Sequence, residues 1–359
     1  MKVGILGNGQ LARMLALAGK PLGLDFTFYD PNPTGCANVL GEFIEAEFTD
    51  QQRLETFVDS VDVVTLENEN IPEPALRAVP SEKLFPPAVA VLKSQDRLLE
   101  KQFLQQLDIP LAHYYALEDE RDLVEAVRQE AGELIIKTRR LGYDGRGQAH
   151  VETPDEASAA WRELSQVPLV AEARVAFERE ISLISVRSRS GEIRFYPITE
   201  NTHHKGILHT SIVRCDDPMQ ALAEEYATRL MTGLQYVGVL GFEFFQLEDR
   251  LLANEYAPRV HNTGHWTIDG AEISQFENHL RAVLGWPLGA TRAHSPSIMC
   301  NVIGSFPHKT ELAVIPGAHI HDYQKETRPL RKIGHVTLCS QDPSALQAGH
   351  ARLRALVRD

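Results

Sequence analysis

Two apolar runs in the C-terminal half constrain this chain more than anything else in it. Val237-Gly-Val-Leu-Gly-Phe-Glu-Phe-Phe245 contains one acid, Glu243, and Leu251-Leu-Ala-Asn-Glu-Tyr-Ala257 contains another, Glu255. A buried strand does not tolerate a carboxylate without a partner. Glu248-Asp249-Arg250 makes a natural turn between the runs, and a three-residue loop there sets Glu243 directly opposite Glu255. Like charges facing each other across paired strands destabilise the pair, so a hard cation with oxygen ligands is the expected reason for keeping both. Mg²⁺ fits, because it is usually held by one or two carboxylates together with substrate phosphates. The alternative is a surface hairpin whose acids are solvated. Immediately downstream, Pro258-Arg-Val-His-Asn-Thr-Gly-His265 adds a guanidinium and imidazoles to the same stretch.

Length and composition bound the rest. A chain of 359 residues is too long for one simple core and suits two or three domains. With 43% hydrophobic residues and no long apolar run, it reads as a soluble globular protein. The start, Met1-Lys-Val-Gly-Ile-Leu-Gly-Asn-Gly-Gln10, goes straight into a strand and a glycine turn, unlike a signal peptide, and implies a cytoplasmic protein. Cys36, Cys215, Cys300 and Cys339 are too scattered for a zinc knuckle or a redox pair, and buried free thiols are expected. A net charge of −13 argues against general affinity for nucleic acid or an anionic membrane.

The N-terminal region alternates strand and helix: strand Val3 to Leu6, helix Gln10 to Ala18, strand Asp25 to Tyr29, helix Gln51 to Ser60, strand Val61 to Leu66. That order predicts a parallel sheet covered by helices. Gly7-Asn-Gly9-Gln-Leu-Ala12 is a G-x-G-x-x-A turn, and Asp30 follows Gly9 by 21 residues, which satisfies a dinucleotide-binding fingerprint on paper. The same turn serves any α/β domain that offers a helix N-terminus to another anion. Five prolines between Pro72 and Pro87 interrupt the pattern before a second half is complete.

A change of character near residue 95 sets the first domain boundary. Asp96 to Leu107 is an amphipathic helix, and Glu133-Leu-Ile-Ile-Lys137 is a strand that exits on a lysine into Thr138-Arg-Arg-Leu-Gly-Tyr-Asp-Gly-Arg-Gly-Gln148. A lysine followed by glycines 142, 145 and 147 brings an ammonium and backbone N–H groups around phosphates, although no G-K-[ST] ends the loop as a Walker motif would. Leu169 to Val175 is a strand carrying Glu172, and Phe177 to Ile184 leads into another carrying Glu180.

Lysine strand, glycine loop, acid-bearing strand and final acid pair follow the order of the ATP-grasp fold. Gly-Asn-Gly-Gln-Leu at 7–11, Gly-Tyr-Asp-Gly-Arg-Gly-Gln at 142–148, Asn-Glu-Tyr-Ala-Pro-Arg-Val-His-Asn-Thr-Gly-His at 254–265 and Arg-Lys-Ile-Gly-His at 331–335 resemble the N5-carboxyaminoimidazole ribonucleotide synthetases of purine biosynthesis. The resemblance covers nearly the whole chain. It implies an ATP-grasp enzyme of mixed α/β and α+β class, with a Rossmann-like N-terminal domain (1–95), an ATP-grasp core (96–295) containing a mobile subdomain at about 110–180, and a small C-terminal domain (296–359).

The implied reaction is ATP-dependent carboxylation of aminoimidazole ribonucleotide by bicarbonate through carboxyphosphate, releasing ADP and phosphate. Carried over residue by residue, the ATP site comprises Arg97, Lys137, Gly142, Tyr143, Asp144, Gly145, Arg146, Gly147, Gln148, Glu172, Ala173, Arg174, Val175, Glu180, His203, Asn254 and Glu255. Glu243 and Glu255 hold Mg²⁺, for which Mn²⁺ is a substitute. Tyr143, Asp144, Arg146, Arg259, His261, Asn262, Lys325 and Arg331 bind the ribonucleotide. Lys137, Asp144 and Arg259 are the catalytic candidates, Asp144 taking the amine proton or orienting the substrate, and Arg259 steadying bicarbonate oxygens through a bidentate contact.

The basic cluster Lys325, Arg328, Arg331, Lys332 and His335 is expected to capture the 5′-phosphate, a solvated basic edge being the alternative. Ala257 stands where many ATP-grasp enzymes have a metal-binding asparagine. Gly264 between His261 and His265 argues against zinc there, and His203-His204 reads as hydrogen-bonding histidine. Neither biotin nor NAD is expected, and the partners are small molecules and a second copy of the chain in a homodimer. A formate-dependent glycinamide ribonucleotide transformylase, a biotin carboxylase and a dinucleotide-dependent dehydrogenase are the competing readings. Val260-His261-Asn262 disfavours the first, chain length the second, and the unexplained Lys137 and Glu243/Glu255 the third.

Overall fold

The computed structural model describes residues 1–130, 132–142, 147–164 and 167–357. Apolar segments at the N-terminus form β1 (Lys2–Leu6), β2 (Asp25–Asp30), β3 (Glu42–Glu45) and β4 (Val63–Leu66), in the order β3-β2-β1-β4 and parallel throughout. Three of these follow from the alternation in sequence. The edge strand β3, Glu-Phe-Ile-Glu, has too few apolar residues to announce itself. Helix Gln10–Gly19 covers one face, where Leu11 and Leu15 join Phe26 and Phe28; Gln51–Asp59 covers the other, where Leu54 and Phe57 join Tyr29 and Val64. Past β4 the proline-rich stretch contributes a single parallel bridge, Leu84 to Val64, and the sheet stops.

Asp96 opens helix Arg97–Gln106 by accepting from the N–H groups of Leu98 at 3.1 Å and Leu99 at 3.4 Å. Spacing of three and four residues then places Arg97, Glu100 and Lys101 on one face. A small antiparallel sheet follows, made of β5 (Tyr114–Leu117), β6 (Leu134–Thr138), β7 (Gln148–Val151) and β8 (Leu169–Ala173) in the order β5-β8-β6-β7. Helices Glu120–Gln129 and Pro154–Leu164 give it a core of its own, with Leu123, Val127, Ile136, Ala157 and Leu169.

The remaining strands build one large sheet: β9 (Arg179–Arg187), β10 (Ile193–Phe195), β11 (Ile198–His204), β12 (Ile207–Arg214), β13 (Gly238–Leu247), β14 (Arg250–Ala257), β15 (Ser297–Ile303), β16 (Ala318–Asp322) and β17 (Lys332–Cys339). Its order is β14-β13-β9-β11-β12-β15-β17-β16, with β10 also on β9. The C-terminal strands therefore extend the core sheet through β12 and β15, rather than forming a sheet of their own. Helix Gln275–Leu284 is wedged between this sheet and the N-terminal unit. Its His279 accepts the Val239 N–H at Nδ1 (3.1 Å) and holds Thr65 Oγ1 at Nε2 (2.8 Å), tying β13 to β4.

The hairpin itself corrects the sequence expectation. Its turn is two residues long, Leu247 pairing with Arg250 and Glu248 taking φ 52°, so simple counting from the turn would misalign the acids. A β-bulge restores the alignment: Phe242 pairs with Tyr256 and Phe244 with Ala253, leaving Glu243 opposed by both Asn254 and Glu255. The cysteines also differ from expectation, since Cys300 is buried but Cys215 is exposed. No helix among the described residues is long and apolar enough to cross a membrane.

Candidate active site

The bulged end of β13–β14 faces the charged side of helix Arg97–Gln106. Arg97 donates to Glu255 Oε2 at 2.7 Å through Nη1 and to the Gly142 carbonyl at 3.1 Å through Nη2. It thereby links one of the expected metal acids to the start of the glycine loop. Burial alone would raise the Glu255 pKa, yet the Arg97 guanidinium outweighs it and holds this carboxyl well below its usual range. Glu243 goes the other way: burial and the nearby Glu255 charge push it up. Its neighbours include His261, with Nε2 3.7 Å from Glu243 Oε1, and Lys332. His261 can sit so close because Gly241 lies under it; a Cβ there would meet the His261 Cβ at 2.6 Å.

Lys137, at the exit of β6, and Lys101 each lie 3.0 Å from Glu172 Oε2 on β8. Burial would raise Glu172, but these two ammonium groups outweigh it and hold its pKa at about 2. Glu172 Oε1 is buried without a hydrogen-bond partner, so the carboxylate has an acceptor to spare. Glu100, on the same helical face, accepts the Tyr256 N–H at 2.7 Å, and burial, then Glu255, pushes its pKa to about 8. His203 touches Glu180, and although burial opposes it, that contact and the Glu243 charge raise the imidazole pKa.

A second group of expected residues continues the cleft. Glu69 binds Arg259 in bidentate fashion along one edge of the guanidinium, at 2.5 Å to Nε and 3.1 Å to Nη2, and so orients it. Asn262 exchanges amide hydrogen bonds with Asn301 at 3.0 and 2.8 Å. Lys325 donates to Gln10 Oε1 at 2.5 Å and to the Lys332 carbonyl at 3.0 Å, and burial followed by the Arg331 charge lowers its pKa to about 8.

Not every expected residue converges. The Arg174 side chain turns outward to Glu133, and the Ala173 and Arg174 N–H groups donate to the His113 and Glu133 carbonyls. Val175 follows at the end of β8, while Gln148 pairs with Lys137 across β6–β7 and is exposed. The Gly147 carbonyl accepts the Thr138 N–H. Tyr143, Asp144, Gly145 and Arg146 lie outside the described residues. The expected basic cluster divides: Arg328 is exposed and paired with Glu326, whereas His335 is fully buried on β17. Arg328 lies in the connection before β17, while His335 is on the strand, a difference that a count of basic residues ignores.

The first glycine turn holds a surprise of the same kind. The N–H groups of Gly9 and Ala12 bind the carboxylate of Glu67, at 2.6 and 3.1 Å. Gly7, at φ 109°, and Gly9 are what allow it: a Cβ on either would lie 2.4 or 2.5 Å from Glu67. The helix N-terminus that the fingerprint reserves for a dinucleotide phosphate is filled by the chain's own acid. Sequence reasoning missed Glu67, Glu69, Gln10, Glu100 and Lys101. Glu67 and Glu69 stand beyond the carboxyl end of β4, beside the glycine turn, where ligand-facing groups of parallel sheets collect; Glu100 and Lys101 share a helical face with Arg97.

A lysine strand, an acid strand and a bulged acid pair converging on one cleft between a small antiparallel sheet and a large one define an ATP-grasp protein. Family models agree along the chain: residues 1–95 match the ribonucleotide synthetase preATP-grasp domain, 102–276 the ATP-grasp domain and 297–349 the phosphoribosylaminoimidazole carboxylase C-terminal domain. The N5-carboxyaminoimidazole ribonucleotide synthase of Pseudomonas aeruginosa is 46% identical over 99% of both chains. The crystal structure of the Thermus thermophilus synthetase superimposes with a TM-score of 0.95 at 48% identity, covering 99% of each chain. An Aspergillus clavatus synthase crystallised with ADP and 5-aminoimidazole ribonucleotide gives 0.90 at 30% identity, covering 99% of this chain and 97% of that one. This chain belongs to the N5-carboxyaminoimidazole ribonucleotide synthase family.

Proposed function

We propose that the protein carboxylates 5-aminoimidazole ribonucleotide to its N5-carboxyamino derivative in purine biosynthesis, using ATP and bicarbonate and releasing ADP and phosphate. One observation carries the reading: the Glu243/Glu255 pair is set by a bulge against Arg97, beside the Lys137–Glu172 pair, in a chain of this family.

Bicarbonate is a poor electrophile. Its oxygen attacks the γ-phosphorus of ATP, the bond to ADP breaks, and carboxyphosphate forms; the substrate amine then attacks the carboxyl carbon, or CO₂ released from it, and phosphate leaves. Such phosphoryl transfer is a matter of positioning and charge stabilisation, the work assigned to Lys137 and Arg97. Glu172, Glu180, His203 and the backbone of 173–175 belong to the nucleotide end. Arg259, oriented by Glu69 along one edge, is assigned to steadying the bicarbonate oxygens. Lys325, with Gln10 and Arg331, takes the ribonucleotide phosphate, and His261 and Asn262 line the space between. Asp144, assigned the amine proton or the orientation of the substrate, lies with Tyr143 and Arg146 outside the described residues.

The donor set suits a hard divalent cation. Glu243 and Glu255, with Asn254 on the bulge, supply oxygens, and the bulge sets Glu243 against both of the others. Mg²⁺, or Mn²⁺ in its place, would neutralise that charge and the phosphates of ATP. The division into 1–95, 96–295 and 296–359, a homodimer and a cytoplasmic location complete the reading.

The test is ADP release from Mg-ATP and bicarbonate with and without aminoimidazole ribonucleotide, compared with glycinamide ribonucleotide plus formate. Strong stimulation by the former supports the reading. Stimulation only by the latter pair, or by neither, overturns it.

A further inference from the structure

A cluster of histidines at the C-terminal end of the large sheet has no part in the chemistry above. It lies between the short helix Thr267–Gly270 and the β16–β17 hairpin. Antiparallel pairing sets His321 opposite His335 and His319 opposite Thr337, so one face of the hairpin carries imidazoles. Asp269 meets that face: His321 Nε2 is 2.7 Å from its Oδ2, and His319 Nδ1 is 3.5 Å from its Oδ1. One ligand atom each from Asp269, His321 and His335 lies within 4.8 Å of the others.

His335 supplies the second, independent observation. It is 0% exposed, its Nδ1 is held by the Tyr323 hydroxyl at 2.8 Å, and its Nε2 is buried without a hydrogen-bond partner. An imidazole oriented at one nitrogen by a second group, with the other nitrogen left open, is the arrangement found in metal-binding histidines. Behind it, His265 is also fully buried with Nε2 unpartnered. Access comes from the outer side, where the side chains of Asp269, His321 and His319 are 12%, 26% and 48% exposed.

We propose that Asp269, His321 and His335 form a binding site for a divalent transition-metal ion, Zn²⁺ by ligand chemistry, with His319 at its rim. Two imidazoles and a carboxylate are a common borderline-soft donor set, unlike the all-oxygen pair Glu243/Glu255. Tetrahedral ligands at zinc bond lengths stand about 3.3 Å apart, so binding draws the cluster inward. His321 is the side chain with room to move, and it leaves its 4.3 Å stack on His335 to do so. The ion would clamp the β16–β17 hairpin, whose connection carries Lys325 and Arg331, onto the helix that bears Asp269.

Equilibrium dialysis of the full-length protein against micromolar ZnCl₂, with excess Mg²⁺ to occupy the catalytic acids, tests this. One zinc per chain is expected in wild type and equally in Glu255→Gln. Asp269→Asn and His321→Ala should each weaken binding by roughly tenfold or more, and zinc should raise the melting temperature of the wild type but not of these two. Circular dichroism establishes that the two variants fold. Equal zinc affinity in wild type, Asp269→Asn and His321→Ala, or loss of zinc in Glu255→Gln alone, overturns the proposal.

Discussion

Two buried acid sites in this molecule are built on opposite terms. Glu67 is wrapped by the N–H groups of Gly9 and Ala12, in a cradle made by the chain itself. Glu243 and Glu255 face each other over a bulge with a single guanidinium, Arg97, bonded to one of them. Where a buried carboxylate is matched by internal donors, it is scaffold; where negative charge is left over, a ligand has to complete it. The glycine turn that looks most like a cofactor site is thus the internally satisfied one.

The comparison breaks most sharply at Glu255. Glu255→Gln should leave the fold intact by circular dichroism and lower bicarbonate-dependent ADP formation by about a thousandfold, or about 4 kcal/mol in the barrier; wild-type turnover in that variant would remove Glu255 from the metal site. Next in size is the acid lability of His279, the buried link between the two regions. Its pKa falls from 6.5 to about 4 because of burial. The unfolded chain therefore takes up a proton near pH 6.5 that the folded chain accepts only near pH 4. Stability supplied by the neutral ring is complete above that window and lost as pH falls through it, by about 3 kcal/mol in full. Urea midpoints between about pH 7 and about pH 4.5 should show the wild type losing its advantage over His279→Gln; a constant difference would refute the linkage.

Glu67→Ala leaves two N–H groups buried and unpaired, and should cost about 2 kcal/mol in urea unfolding. Inorganic phosphate should restore part of that loss, since the vacated helix N-terminus then accepts an anion; no loss at all would mean that the cradle is not scaffold. The smallest effect separates two members of the C-terminal basic cluster. Lys325→Ala should raise KM for aminoimidazole ribonucleotide by about tenfold with little change in kcat, while Arg328→Ala, whose side chain is exposed and paired with Glu326, should leave both unchanged in steady-state assays.

Much of the candidate cleft was legible because its chemistry is local. Lys137 ends an apolar strand, Glu172 and Glu180 interrupt others, and Glu243 and Glu255 stand alone in two more; buried strands make such residues conspicuous. Less visible were groups whose role depends on where a neighbouring element falls. Lys101 matters because β8 brings Glu172 to it, and Glu69 because the segment after β14 brings Arg259 to it. Hairpin arithmetic reached the right pairing of acids through a wrong loop length, two errors of one residue that cancelled at the bulge.

By itself the sequence determined the parallel N-terminal sheet and the succession of lysine strand, acid strand and acid pair, since hydrophobic period and residue type act over short stretches; the family came from the resemblance of its motifs. Tertiary structure alone decided that the first glycine turn binds Glu67, that Glu69 pairs with one edge of Arg259, that the C-terminal strands extend the core sheet, and that Asp269 meets His321 and His335. Those outcomes join residues far apart in the chain, and only the packing of sheets and helices brings such groups within hydrogen-bond reach.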